Sequence, residues 1–103
     1  MITGKKEINI IQGDSYTKNV IIKNVDHELI ETVNITCKAL NVDKDLTYDS
    51  TTNKYIFNLS PEETSEFKVM LTNYDLTVTL INNRKKTVCY NSVFRVMKKN
   101  NVI

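Results

Sequence analysis

The chain has 103 residues, with two glycines, one proline and two cysteines. That length fits one domain, and the composition excludes collagen-like, Pro-rich and disulfide-scaffold classes. Fourteen basic and twelve acidic side chains leave a net charge of +2, and the basic clusters Lys5–Lys6, Arg84–Lys85–Lys86 and Lys98–Lys99 fall at ends and turns, so no nucleic-acid-binding stripe is expected.

Val, Ile, Thr, Phe and Tyr together supply 41 residues, whereas Ala occurs once and Leu seven times. Strands favour β-branched and aromatic side chains, so this balance predicts an all-β domain. The first predicted strand covers Ile8 to Ile11 and stops at Gln12-Gly13-Asp14. A second runs from Tyr16 to Lys23, with Tyr16, Val20 and Ile22 on one face, Thr17, Asn19 and Lys23 on the other, and Lys18 breaking the apolar side. Asn24 to Glu28 reads as a turn. In the third strand Val33, Ile35, Cys37 and Ala39 alternate with Asn34, Thr36 and Lys38, the signature of one buried and one wet face.

Asn41 to Asp45 reads as a polar loop, followed by a short piece around Leu46–Tyr48. Asp49 to Asn53 turns the chain into a strand over Lys54–Leu59, where Tyr55, Phe57 and Leu59 share a face. Ser60-Pro61-Glu62-Glu63 is a capping box with Pro at the first helical position, and it predicts one short helix over Pro61–Phe67. Tyr74, Leu76, Val78 and Leu80 form an inward row. Asn82 to Lys85 makes a hairpin turn, and the return strand offers Val88, Tyr90, Phe94 and Val96 on one face. By that parity Cys37 points inward and Cys89 outward, so two reduced thiols are expected.

Little in the chain carries chemistry. His27, the only histidine, sits in a turn beside Asp26 and Glu28, where a solvated role is expected rather than general-base work. Asp43, Asp45 and Asp49 form an acidic loop without the glycine or terminal Glu of a calcium hand. A four-ligand zinc site cannot be assembled from two cysteines and one histidine. No catalytic residue, metal ligand or cofactor site is nominated, and a non-enzymatic protein is expected. No apolar run exceeds three residues, and the first seven residues lack the apolar stretch of a secretory signal, so neither a membrane span nor export by that route is expected.

One combination goes beyond a generic β pattern. Apolar residues, Gln12-Gly13-Asp14 and a Tyr-led strand are followed by Leu59-Ser60-Pro61-Glu62-Glu63-Thr64, then Asn73-Tyr74-Asp75-Leu76, and finally Ser92-Val93-Phe94-Arg95-Val96. From about Ile8 to Val96 this order resembles the small β-sandwich proteins of tailed bacteriophages and prophages of the LtfC type. Within that resemblance Gly13 supplies a bend, Asp14 bonds local amides, Thr64 ties the helix to its neighbour, and Tyr74 takes a place similar to the tyrosine corner of immunoglobulin-like sandwiches. The expected architecture is therefore a single immunoglobulin-like antiparallel β-sandwich with an ordered core over about 8–97 and one short helical turn. The structural residues are Gly13, Asp14, Ser60, Pro61, Glu63, Thr64 and Tyr74. The resemblance implies a virion protein of the tail or baseplate region whose partners are other phage structural proteins and copies of itself. A glycan-binding or adhesion module and a small inhibitor of a host protein are the alternatives.

Overall fold

The computed structural model describes residues 6–23 and 25–99, those at 88–91 by their backbone alone. Eight strands are present among them: β1 (Ile8–Ile11), β2 (Tyr16–Val20), β3 (Ile30–Cys37), β4 (Val42–Asp45), β5 (Thr47–Asp49), β6 (Lys54–Leu59), β7 (Met70–Leu80) and β8 (Lys85–Met97). One helix, α1 (Pro61–Ser65), joins β6 to β7. Five strands form a sheet in the order β1-β8-β7-β3-β4, and three form a second in the order β2-β6-β5. The fold is all-β.

Alternation makes the core. Ile8 and Ile10 on β1, Val33, Ile35 and Cys37 on β3, Tyr74, Leu76 and Val78 on β7, and Phe94 and Val96 on β8 face inward from the larger sheet. Val20, Tyr55, Phe57 and Leu59 meet them from the smaller one, in a single cluster. Tyr74 and Phe67 both set their rings edge-on to Phe94, with centroids 6.2 Å apart in each case. The turns use asparagine where glycine is scarce. Asn41, Asn53 and Asn83 all adopt left-handed backbone (φ 57°, 57° and 66°), a conformation that Asn tolerates better than most side chains.

Several elements differ from the sequence expectation. The segment Asn41 to Asp45 is a strand, β4, rather than a loop. Val42 is its single buried residue, opposite Cys37, and Asp43 and Asp45 lie on the wet face opposite Thr36 and Asn34, so only one apolar residue marks it in the sequence. β3 ends at Cys37, and Ala39 sits exposed in a 3-10 turn (Lys38–Leu40) that Asn41 closes with its left-handed backbone. The piece expected at Leu46–Tyr48 becomes β5 at Thr47–Asp49, and Leu46 is the buried residue that carries the chain from one sheet to the other. β2 stops at Val20, and α1 at Ser65.

β7 begins at Met70, paired with Val96, four residues before the inward row at Tyr74; Leu71 faces solvent, so the apolar pattern does not mark this start. Of the apolar face expected for β8, Phe94 and Val96 are buried as expected. The β7–β8 register shifts between Tyr74 and Thr77, and the expectations for Val88, Cys89 and Tyr90 fall on side chains outside the described residues. The sandwich is not wholly antiparallel: β1 joins the edge of the larger sheet parallel to β8, with Ile8 opposite Phe94 and Ile11 opposite Met97. It does so because the chain leaves β1 for the other sheet at Gln12–Ser15, and so cannot form a hairpin with its neighbour.

Candidate functional site

Two crossovers meet in the fold, and the structural residues singled out from the sequence, Tyr74 excepted, gather there. The first is the β1–β2 turn, where Gly13 holds φ +82°, a left-handed value that side-chain-bearing residues avoid. The second is α1, which lies between the smaller sheet and the start of β7. Its start is set by the sequence. Ser60 accepts from the Glu63 amide at 3.1 Å, and the Glu63 carboxylate accepts from the Ser60 amide at 2.9 Å, so the capping box is formed with Pro61 at the first helical position.

Thr64 joins the two. It is completely buried, and its hydroxyl accepts from the Gly13 amide at 3.0 Å while donating toward the Asp14 carbonyl at 2.8 Å. A hydroxyl has one proton, so the longer approach to the Pro61 carbonyl, 3.2 Å, is the weaker one. Gln12 adds a second tie, donating from its side-chain amide to the Phe67 carbonyl at 2.7 Å. Asp14 also pairs with Lys99 at 2.8 Å across the surface. Tyr74 lies in the same sandwich but apart from this knot: its phenol donates to the Lys6 carbonyl, which fastens the chain just before β1.

Lys44 on β4 reaches both oxygens of Glu63 at 2.9 Å. That ammonium, followed by the Ser60 amide, holds the Glu63 carboxyl below its usual value of 4.5. Sequence reasoning missed Gln12, Lys44 and Lys6 as partners. Gln12 stands inside the Gln-Gly-Asp motif and could have been included. The contacts of Lys44 and Lys6 depend on which strands become neighbours, and no local pattern announces that.

Beside this knot lies an open groove of about 440 Å³ between β4 and α1. Leu40, Val42, Leu59 and Phe67 line it with apolar surface, and Asp43, Lys44, Glu63 and Glu66 form its polar rim. A second depression, of about 360 Å³, lies near the 3-10 turn His27–Leu29. There the His27 ring stacks on Tyr48 with centroids 4.5 Å apart and planes 8° apart, and Tyr48 leans on Tyr55 at 5.0 Å.

The three carboxylates of the expected acidic loop do not come together. Asp43 and Asp45 both accept from the Asn34 amide, at 2.7 and 2.9 Å, and Asp49 instead caps its own turn through Thr51 and Thr52. Among the described residues no group of three or more His, Cys, Asp or Glu is placed to hold a metal ion. Cys37 is buried and unbonded, and burial pushes its thiol pKa up, which lowers its reactivity. No helix among the described residues is long and apolar enough to cross a membrane. No family model matches the chain, and no curated protein matches it in sequence.

Proposed function

We propose that this chain is a non-enzymatic structural protein of a phage or prophage particle, in the tail or baseplate region, that works by packing against copies of itself and neighbouring proteins. The observation that carries the reading is where the resemblance falls. Gln12-Gly13-Asp14 and Leu59 to Thr64, two of the four segments that carry the resemblance, are far apart in sequence yet bonded to each other through the Thr64 hydroxyl. The immunoglobulin-like description of the fold draws support from strand order. A four-stranded run β8-β7-β3-β4 opposite β2-β6-β5 corresponds to the G-F-C-C′ and B-E-D strands of such sandwiches, with β1 moved to the G edge. Fold alone does not fix function, so the test is direct. Mass spectrometry of purified phage or tail-like particles from the source strain should find the chain at stoichiometric level; its absence from intact particles overturns the reading.

A second reading, glycan binding, draws on one observation: the ring cluster His27–Tyr48–Tyr55 lines a depression together with the carboxylates of Glu31 and Asp45. Aromatic faces beside hydrogen-bonding groups suit sugars. Retention on a glycan array that Tyr48→Ala abolishes would favour it over assembly.

A further inference from the structure

The groove beside α1 and the β7–β8 hairpin tip lie apart along β7, and they are complementary. At the tip, Ile81 is 60% exposed although its backbone amide is fixed to the Leu29 carbonyl at 3.0 Å. The turn itself is held by the Asn83 amide on the Leu80 carbonyl (2.9 Å) and by the Asn82 side chain on the Arg84 amide (3.1 Å). A large apolar side chain is thus presented on a well-braced turn, immediately followed by three exposed cations, Arg84, Lys85 and Lys86.

The groove has the opposite character. Its floor is apolar, and Phe67 in that floor is wedged edge-on against the buried Phe94. Its rim carries three carboxylates, and the one lining cation, Lys44, is committed to Glu63. Asp43 and Glu66 therefore keep the rim negative on a chain whose net charge is +2. Through β3, Asp43 on the rim lies level with Asp75, six residues or about 20 Å along β7 from Ile81, and the tip is held on its own turn and on Leu29. A single molecule cannot close this contact on itself.

We propose that the hairpin tip of one copy docks in the α1 groove of the next, with Ile81 on the apolar floor and Arg84 and Lys86 against Glu66 and Asp43. The contact is heterologous: it joins two different patches, so it propagates into a ring if the rotation closes and into a filament if it does not. Cyclic arrays of this kind suit a particle component, so the inference rests on the structural-protein reading and specifies how its copies meet.

Sedimentation velocity on the full chain and two charge variants tests it. Wild type should associate in a concentration-dependent way that weakens as salt screens the ion pairs. A tip variant, Ile81→Asn with Arg84→Gln, which leaves nothing to attract a basic groove, and a groove variant, Asp43→Lys with Glu66→Lys, should each be monomeric and folded by circular dichroism. Mixed, they still share one intact tip and one intact groove, so they should form dimers and stop there. A wild type that stays monomeric at low salt overturns the proposal, as does a mixture that stays monomeric or an unmixed variant that still associates. If wild type is monomeric but its groove captures another particle protein, the occupant is that protein and not a second copy. The particle mass spectrometry reads separately: a chain present in particles yet monomeric in solution refutes only the tip–groove contact. A chain absent from particles yet associating as described refutes only the virion reading.

Discussion

Replacing Thr64 by valine keeps the shape of a fully buried side chain and removes its hydroxyl, the atom that bonds the β1–β2 turn to α1. Two backbone groups then lose their partner, the Gly13 amide at 3.0 Å and the Asp14 carbonyl at 2.8 Å. A buried polar group left unpaired costs about 1–3 kcal/mol. Gly13 and Asp14 are half-buried, so water recovers part of that, and the two losses should sum to about 2–3 kcal/mol. For a domain of this size that corresponds to a fall in melting temperature of roughly 10–20 °C. Thr64→Ser is the control: it keeps the hydroxyl and loses one buried methyl, worth about 1 kcal/mol. Urea denaturation of both variants, fitted with a common slope, gives the comparison. If Thr64→Ser costs as much as Thr64→Val, the hydroxyl does not hold the two crossovers together and the account of this knot is wrong.

Three further substitutions probe the same crossovers. Ser60→Ala should cost on the order of 1 kcal/mol by leaving the Glu63 amide without its acceptor; an unchanged urea midpoint would show that the cap contributes nothing. Gly13→Ala should cost about 1–2 kcal/mol through backbone strain alone, because nothing lies within 4 Å of an added Cβ while φ stands at +82°, and Gly13→Asn should cost clearly less in the same assay. For Glu63, the folded carboxyl titrates below its usual 4.5, so its stabilising effect is present above that value and fades as pH falls through the folded one. Wild type and Glu63→Gln should therefore differ in midpoint at neutral pH and converge in acid, and a gap that widens in acid contradicts the assignment.

Much of this was legible in the sequence wherever a residue's neighbours along the chain decide its state. Alternation over Lys54–Leu59 and the Ser60–Glu63 box each depend on contacts within a few positions, and both form with the expected residues. β4 was not legible, because a strand with Asp43, Lys44 and Asp45 at three of four positions looks like a loop until β3 lends it an edge and Asn34 supplies an amide to its carboxylates. The register shifts of β8 against β7 were not legible for a related reason: a shift is a property of the pair, which neither strand announces alone. In the knot, the sequence marked Gly13 and Thr64 separately, but only the stacking of the two sheets brings a residue before β2 onto one after β6. The groove was invisible in the same way, since it is made of ordinary residues whose meaning comes from position, whereas the hairpin turn was announced by Asn82-Asn83.

Edge protection on β1 explains why association is better sought elsewhere in the molecule than along this side. β1 pairs only with β8, and the Gln12 amide bonded to the Met97 carbonyl at 3.0 Å places the even-numbered residues toward that partner. Asn9 and Ile11 consequently turn their backbone groups outward, the arrangement that invites another strand. Both residues are already covered. The Asn9 backbone lies against the Tyr16 phenol, an approach that works to lower a pKa which burial raises on balance, and the Ile11 carbonyl accepts from the Asp14 amide at 3.1 Å. Tyr16→Phe would remove the first block while keeping the ring that meets Phe57 edge-on at 6.3 Å. The variant should lose about 1 kcal/mol, a typical net hydrogen bond, and the Asn9 amide should exchange with solvent at least several-fold faster while the Ile10 amide, facing β8, stays protected. An Asn9 amide that exchanges at the wild-type rate would mean that Tyr16 does not guard the edge. If instead Tyr16→Phe alone turns a monomer into strand-paired oligomers, β1 is the surface that assembly must keep closed, and growth of an ordered array has to proceed through contacts of another kind.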